Sequence, residues 1–140
     1  MIKFKTRQMA STDLNFILSS WPKSYRTTID NRRIVNGIYY PNMSNIVANI
    51  LKKAQKSIIY NPEPGKDDHI FGYVVYDYVD GLLVLHYIYV KHMYRRLGIM
   101  SEMIKKLKKN DVLPVMCTFA TDIFDIVKDD HNLMYNPFMR

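Results

Sequence analysis

The middle of the chain places a strongly apolar segment directly before a short turn and a helical pattern. The apolar segment is Leu82–Val90, the turn covers 91–98, and the helical pattern covers Ser101–Lys109. The first N–H groups of a helix have no partner inside the helix, and the helix dipole favours negative charge beside them. Gly98 carries no Cβ, so the backbone can come close to a ligand. This order of strand, turn and helix predicts an anion-binding turn.

Length and composition limit the chain to one compact domain over residues 1–140. A chain of 140 residues that is 48% hydrophobic buries roughly two-thirds of its unfolded surface on folding. No apolar stretch reaches the ~18 to 20 residues that span a bilayer, and the first residues lack a signal core. Cys117 is the single cysteine, which excludes an internal disulfide and a cysteine-rich zinc site. We therefore expect a soluble, cytoplasmic protein without a metal site or a membrane partner.

The net charge of +7 is unevenly distributed along the chain. Residues 1–60 carry ten Lys or Arg against two acids, and residues 91–109 carry seven against one. One interpretation is a basic surface for a small polyanion or for nucleic acid. The alternative is a solvated helix face, because the lysines of 105–109 also complement the negative end of their own helix.

Hydrophobic periodicity predicts strands and helices in a mixed order. An Asp80-Gly81 pair between two apolar runs predicts a hairpin. Residues 23–42 show no period, so they form either a functional loop or a hidden short helix. Pro22 is expected to end the first helix, and Ser44 to begin the second. The predicted strands are Ile2–Met9, Ser57–Tyr60, Ile70–Tyr78, Leu82–Val90, Val112–Phe119 and Leu133–Phe138, and the later helices are Ser101–Lys109 and Thr121–Lys128.

The motif Arg95-x-x-Gly98-x-Met100 resembles the Arg/Gln-x-x-Gly-x-Gly/Ala signature of the GNAT superfamily of acetyl-CoA-dependent N-acetyltransferases. The element order is similar to that fold over nearly the whole chain. The resemblance implies an α/β fold, with a mixed, mostly antiparallel central sheet and flanking helices. Residues 20–25, 86–91 and 135–138 also resemble small GNAT-like proteins of tailed bacteriophages, which implies a phage origin.

The GNAT resemblance implies acetyl-CoA as the cofactor, held where the strand before the turn separates from the strand after its helix. Backbone groups on the first strand would pair with the pantetheine arm, and those residues are Ile88, Tyr89 and Val90. The turn would hold the pyrophosphate through Arg95 and the N–H groups of Arg96, Leu97, Gly98, Ile99 and Met100. Met100 stands where the family prefers Gly or Ala, so its side chain either crowds the pyrophosphate or points into the helix stripe.

Catalytic residues of many GNAT enzymes are a glutamate before the turn and a tyrosine in the helix after the next strand. Residues 82–90 contain no acid, and residues 118–128 contain no tyrosine. His86 is the remaining candidate base, since an imidazole pKa near ~6.5 suits proton removal at neutral pH; the alternative is a core histidine. Tyr135 is a candidate proton donor or an aromatic anchor of the tail. Cys117 either pairs with His86 as a nucleophile or packs in the core.

The aperiodic segment 23–42 corresponds to the place where GNAT acceptors bind. Its basic residues are Lys23, Arg26, Arg32 and Arg33, which favours an amine acceptor bearing an acidic group; the alternative is a solvated loop. Two functions follow from the resemblance. The first is an N-acyltransferase that moves an acetyl group to an amine. The second is a catalytically inactive GNAT-fold phage protein, a virion component or host-interaction module that binds a phage protein, a host protein or nucleic acid.

Overall fold

The computed structural model describes residues 2–28, 31–66 and 69–140, which form one six-stranded sheet with helices on both faces. The strands follow one another in chain order across the sheet. The first four are antiparallel, whereas β4, β5 and β6 run parallel. The strands are β1 Lys5–Gln8, β2 Gln55–Tyr60, β3 Ile70–Val79, β4 Leu82–Val90, β5 Val115–Cys117 and β6 Leu133–Tyr135. The expected mixed sheet with flanking helices is confirmed.

Four helices cover the two faces of this sheet, and each face has its own buried cluster. Helices α1 (Leu14–Tyr25) and α2 (Asn36–Lys53) pack on one face through a core that includes Trp21, Val47 and Tyr73. Helices α3 (Ile99–Leu107) and α4 (Phe124–His131) pack on the other face. In the described part of the chain, no helix combines the length and apolar character that crossing a bilayer requires.

Helices α1 and α2 extend beyond their expected ends. Pro22 lies inside α1, which continues to Tyr25, so the expectation that Pro22 ends the helix was wrong. Proline costs the helix one hydrogen bond, but Trp21 and Tyr25 on either side of it are buried. That burial outweighs the local preference.

Helix α2 begins at Asn36 rather than Ser44, so residues 36–42 of the expected loop over 23–42 are helical. Its buried stripe starts with Tyr39 and Met43 and continues to Val47, at the spacing of one helix face. Gly37 and Pro41 interrupt the sequence pattern and hide this stripe. The interpretation that 23–42 contains a hidden helix is therefore the correct one. Asn31–Arg33 forms a single 3-10 turn, and Asp30 lies outside the described residues.

The hairpin between β3 and β4 has the expected turn. Asp80 and Gly81 both have positive φ, 51° and 80°, as a two-residue hairpin turn requires. The bounds of β4 are those expected from the sequence, while α3 begins two residues early, at Ile99. Strand β5 is shorter than expected because Pro114 precedes it, and proline cannot donate to a ladder.

Candidate coenzyme cleft

Strands β4 and β5 separate halfway along β4. They share two residue pairs, Val84 with Met116 and Leu85 with Cys117. The N–H of Thr118 then donates to the carbonyl of Leu85 at 3.2 Å. Strand β5 ends at Cys117, whereas β4 continues to Val90. The two strands therefore diverge and leave a gap between them.

A cleft of about 480 Å³ occupies this gap. Of the residues expected to hold the coenzyme, those that line the cleft are Ile88, Tyr89, Val90, Arg95, Arg96, Gly98, Ile99 and Met100. Leu97 belongs to the same turn but does not line the cleft, and it is exposed. The structure thus brings together, around one cleft, most of the predicted coenzyme-binding residues from β4 and from the turn that leads into α3.

The turn before α3 leaves a row of backbone donors without internal partners. Arg96 and Gly98 both have left-handed backbone, with φ of 64° and 84°. The first hydrogen bond of the helix runs from Glu102 N to Gly98 O at 3.0 Å. In the described part of the chain, the N–H groups of Arg96 through Met100 donate no hydrogen bond. Because these groups border the cleft at the positive end of a helix, they can bind an anionic ligand.

Arg95 contributes a positive charge to this turn and also holds its backbone in place. Its Nε donates to the carbonyl of Val90 at 2.7 Å, and its guanidinium lies 5.7 Å from the ring centroid of Tyr89. Both contacts hold the start of the turn against the end of β4. Arg95 and Arg96 are exposed, so both charges remain accessible to a ligand in the cleft.

The lysines at the far end of α3 do not line the cleft. The ammonium of Lys106 lies 4.6 Å from the ring centroid of Phe4, and that of Lys109 lies 4.1 Å from Tyr78. Lys108 donates to the carbonyl of His131 at 3.3 Å. These contacts place the lysines over apolar surface and helix ends, as the solvated-face interpretation describes.

The Met100 side chain both packs into the helix stripe and borders the proposed pyrophosphate site, which the sequence had offered as alternatives. Its side chain is half-buried and packs against the core beneath α3. It also lines the 480 Å³ cleft. The side chain therefore belongs to the helix stripe and still narrows the space beside the turn.

His86 lies in a bulge of β4. Val75 pairs with Tyr87 and Tyr76 pairs with Leu85, so His86 is an extra residue on its strand. Its side chain is 4% exposed and lines a small inner pocket of about 50 Å³ next to the cleft. A pocket of that volume is large enough for a water molecule.

Both nitrogens of the His86 ring have polar neighbours. Nδ1 lies 2.9 Å from Thr118 Oγ1, and Nε2 lies 3.4 Å from Asp77 Oδ2. Burial lowers the pKa of His86, whereas the Asp77 carboxylate raises it, and the lowering dominates. The ring is therefore neutral at pH 7.

Cys117 lines the same inner pocket as His86. Burial raises the pKa of its thiol to about 12, so it carries its proton at neutral pH. A thiol in that state is a poor nucleophile, which agrees with core packing.

Tyr135 lies on β6, opposite Cys117 in the ladder. Its side chain is exposed, and its ring centroid lies 6.4 Å from that of Phe124. It lines neither the cleft nor the inner pocket. Tyr87, which sequence reasoning did not select, lines both, and its hydroxyl lies 2.6 Å from Ser24 Oγ. Burial raises the pKa of Tyr87 to about 12, so its phenol stays protonated at neutral pH.

The basic residues of the former loop lie beside the cleft rather than in it. Arg26 donates to Asn36 Oδ1 at 3.0 Å and stacks over Tyr39, and Arg32 donates to the carbonyl of Thr27 at 2.6 Å. The cleft wall nearest to them is formed by Ser24, Thr27 and Thr28. Sequence reasoning missed these hydroxyl residues because their segment lacks a periodic pattern.

A sheet that opens between two parallel strands, beside a helix turn with free N–H groups, is the arrangement of proteins that can hold an anionic cofactor at the opening. Residues 35–110, more than half of the 140 residues, match the sequence profile of the Acetyltransferase (GNAT) family. The chain therefore belongs to the GNAT acetyltransferase family. No curated protein matches the chain in sequence.

Solved structures with the same fold cover most of the chain. A possible acetyltransferase from Clostridium difficile 630 is 17% identical, with a TM-score of 0.61 over 95% of this chain and 91% of that one. AAC(6')-Iy in complex with the bisubstrate analog CoA-S-monomethyl-acetylneamine is 17% identical, with a TM-score of 0.51 over 94% of this chain and 91% of that one.

A third similar structure is longer than this chain. It is an acetyltransferase of the GNAT family from Staphylococcus aureus Mu50, 20% identical over 75% of this chain, with a TM-score of 0.47. The chain spans 63% of that protein's length. The narrower resemblance to phage proteins stays a prediction.

Proposed function

We propose that this protein is an N-acetyltransferase that uses acetyl-CoA and moves the acetyl group to an amine. The observation that carries the proposal is the row of unpartnered N–H groups from Arg96 to Met100 beside the cleft. A diphosphate offers acceptor oxygens and negative charge, and both match such a row at a helix N-terminus. Membership of the GNAT family supports the same coenzyme, as does the CoA-containing analog in the similar AAC(6')-Iy structure.

Two parts of the cleft would bind two different parts of the coenzyme. The turn and its two arginines would hold the pyrophosphate, and the β4 backbone from Ile88 to Val90 would lie along the pantetheine arm. Acetyl-CoA supplies the activated acetyl thioester when it is bound. The residues of this chain would bind and orient it, exclude water through the apolar cleft wall, and move protons.

Proton transfer is assigned to side chains near the strand separation. Amine attack requires loss of an amine proton and protonation of the leaving thiolate. His86 is the proposed proton acceptor, because it is a neutral imidazole in the pocket next to the cleft. Tyr135, the donor that the family resemblance suggests, lies opposite Cys117 but lines neither the cleft nor the inner pocket, so its role as proton donor requires the direct test below. Tyr87 is an independent candidate for that role, because its protonated phenol lines the cleft.

The acceptor is proposed to enter from the side of Ser24, Thr27 and Thr28. Arg32 and Arg33 lie on the following turn and are exposed. An acidic group on the acceptor would pair with them. Replacing both by Ala is expected to raise the KM for such an acceptor, while the affinity for acetyl-CoA stays the same.

Calorimetry with acetyl-CoA tests the proposal directly. The native chain is expected to bind with micromolar affinity. Gly98→Ala is expected to bind at least ten-fold more weakly, because a Cβ disfavours the left-handed backbone that presents the N–H groups. Gly37→Ala is the matched control, since a Cβ at Gly37 meets open space. Absence of heat and of any thermal shift at millimolar acetyl-CoA would exclude the proposal.

Activity is then tested by thiol release with a panel of amines. Spermidine and kanamycin cover polyamine and aminoglycoside acceptors, and a peptide that contains both lysine and glutamate covers acceptors with an acidic group. His86→Gln, Tyr135→Phe and Tyr87→Phe are compared for kcat at fixed acetyl-CoA. The variant that loses kcat without losing coenzyme affinity identifies the residue that moves a proton.

One contact favours a second candidate function, a non-catalytic interaction module. Lys106 lies over Phe4, so one basic residue of α3 lies beside the segment that precedes β1, where Lys3 and Lys5 flank Phe4. Such a basic surface suits an acidic protein or a nucleic acid. The candidate predicts salt-sensitive binding to such a partner by a chain that does not bind acetyl-CoA.

A further inference from the structure

The hydrogen bonds of the His86 ring fix which nitrogen carries the hydrogen. A carboxylate only accepts, so the nitrogen facing Asp77, which is Nε2, carries the hydrogen of the neutral ring. Nδ1 is then free to accept the hydroxyl hydrogen of Thr118. This single tautomer satisfies both neighbours at once, and it leaves Nδ1 as the basic nitrogen.

The carboxylate reaches His86 from the neighbouring strand. Asp77 belongs to β3 and pairs with Val84 of β4. The extra residue in β4 at His86 shifts the register between the two strands, and such a bulge re-aims the side chain at its position. Strand β4 itself holds no acid, so the one that serves its histidine comes from across the sheet.

We propose that Asp77 is the positioning residue of the acetyl-transfer site. It holds Nε2–H of His86 so that Nδ1 takes the proton, and its charge stabilises the imidazolium that forms. The inference rests on the proposed function, because it assumes that His86 accepts the amine proton. The proton that Nδ1 gains is the one that the acceptor amine loses, so the number of protons balances.

The charges around the ring show why Asp77 is needed. Burial disfavours the imidazolium, and Arg140, whose Nε donates to the carbonyl of Thr118 at 3.0 Å, disfavours it too. Cys117 shares the inner pocket but is uncharged at neutral pH. Asp77 is the one group facing the ring, among the described residues, that favours the charged form. Without Asp77, burial and Arg140 would both lower the pKa of His86, and no facing group among the described residues would raise it.

Nuclear magnetic resonance of the histidine side chains tests the inference without an acceptor. His86 is assigned among the four histidines by its absence in His86→Gln. The native ring is expected to show the Nε2–H tautomer. Asp77→Asn is expected to lower the pKa of His86 by about one unit or more. A native Nδ1–H tautomer overturns the inference, and that result needs no variant.

Asp80→Asn is the matched control. It removes one negative charge from the turn of the same β3–β4 hairpin, and asparagine tolerates the left-handed backbone there. A shift in the pKa of His86 that is no larger in Asp77→Asn than in Asp80→Asn overturns the inference. Thermal melts of both variants show whether either has lost its fold.

Kinetics supply the second readout. For the amine that reacts in the panel, the acidic limb of kcat/KM is expected to move to lower pH in Asp77→Asn, and kcat on the plateau to fall about ten-fold or more. An unchanged profile overturns the positioning role. If acetyl-CoA does not bind to the native chain, the proposed function fails. The resonance titration then still decides whether Asp77 sets the tautomer and pKa of His86.

Discussion

Leu85 and Cys117 are the last pair of the parallel β4–β5 ladder, and the cleft begins directly beyond them. Each of the two residues is buried, so the point at which the strands separate is fixed by the core. The free N–H groups of the turn lie at the far end of the same β4 strand. The distance between the strand separation and the free N–H groups is thus set by the length of one strand.

Replacing Arg96 by glycine is expected to change stability and binding in opposite directions. Left-handed backbone costs a non-glycine residue about 1–2 kcal/mol, and Arg96 has a φ of 64°. Arg96→Gly should therefore raise the free energy of unfolding by about 1 kcal/mol. The same change removes a charge beside the cleft, so acetyl-CoA should bind more weakly, most clearly at low salt.

Asn132→Gly controls for the strain in that experiment. Asn132 has a φ of 54° and does not line the cleft. It should gain a smaller amount of stability, since asparagine tolerates this backbone, with no change in coenzyme affinity. Urea denaturation and calorimetry measure the two quantities. Equal coenzyme affinity in Arg96→Gly and the native chain would contradict a role for the arginine charge.

Gly72→Ala is expected to disrupt the sheet. A Cβ at Gly72 would lie 1.9 Å from the carbonyl oxygen of Tyr89 and 2.9 Å from its carbonyl carbon. Backbone cannot yield as a side-chain tip does, so we expect a loss of about 3 kcal/mol or more. The loss should appear as a lower urea midpoint or as insoluble protein. Gly37→Ala, with open space around it, should keep the native midpoint or exceed it.

Asp13→Ala should destabilise the start of α1. The Asp13 carboxylate accepts two hydrogen bonds from Arg7, at 2.8 and 3.1 Å, and one from the N–H of Ala10 at 2.8 Å. Arg7 is partly exposed, so solvent weakens the ion pair, and we expect a loss of about 1–2 kcal/mol at pH 7.

The cost of Asp13→Ala should depend on pH in a defined window. The Arg7 guanidinium holds the pKa of Asp13 below its ordinary value of 3.8. The stabilisation is present above 3.8 and is lost as the pH falls through the lower native pKa. Denaturation curves of the two proteins should therefore converge in acid. A constant difference between pH 7 and pH 2 would show that the carboxylate charge does not matter.

Mild acid should destabilise the native chain through two buried histidines. Burial lowers the pKa of both His86 and His131 from the ordinary value of 6.5. Below pH 6.5 the unfolded chain takes up protons that the folded chain does not, so stability falls as the pH drops towards the native pKa values. The melting temperature should decrease between pH 7 and pH 5. In His131→Gln, the melting temperature should decrease less between pH 7 and pH 5 than in the native chain. An equal decrease in both proteins would show that His131 does not cause the acid sensitivity.

Local sequence patterns predicted correctly those strands and helices whose local preferences agree with their surroundings in the folded chain. Strand β4 has the expected bounds because a strongly apolar run suits a strand buried on both faces. The ends of α1 and α2 were missed because Pro22, Gly37 and Pro41 argue against a helix locally. Buried aromatic residues on the same helices outweigh that preference in the folded chain.

The residues of the candidate site also fall into a group that the sequence revealed and a group that it did not. The turn with Gly98 was visible in the sequence because its residues are neighbours in the chain. Asp77, Thr118 and Tyr87 were not selected, because their relation to the site depends on strand pairing and on one bulge. No spacing rule connects a carboxylate on β3 with an imidazole nine residues later in the chain.

The sequence by itself determined the order of strands and helices, the hairpin at Asp80-Gly81 and the glycine turn before α3. These features depend on short-range preferences of the backbone. The tertiary structure decided where β4 and β5 separate, which side chains border the cleft, and which carboxylate faces His86. Those relations depend on the register between strands, which is set by burial of the two sheet faces and by hydrogen bonds between distant residues.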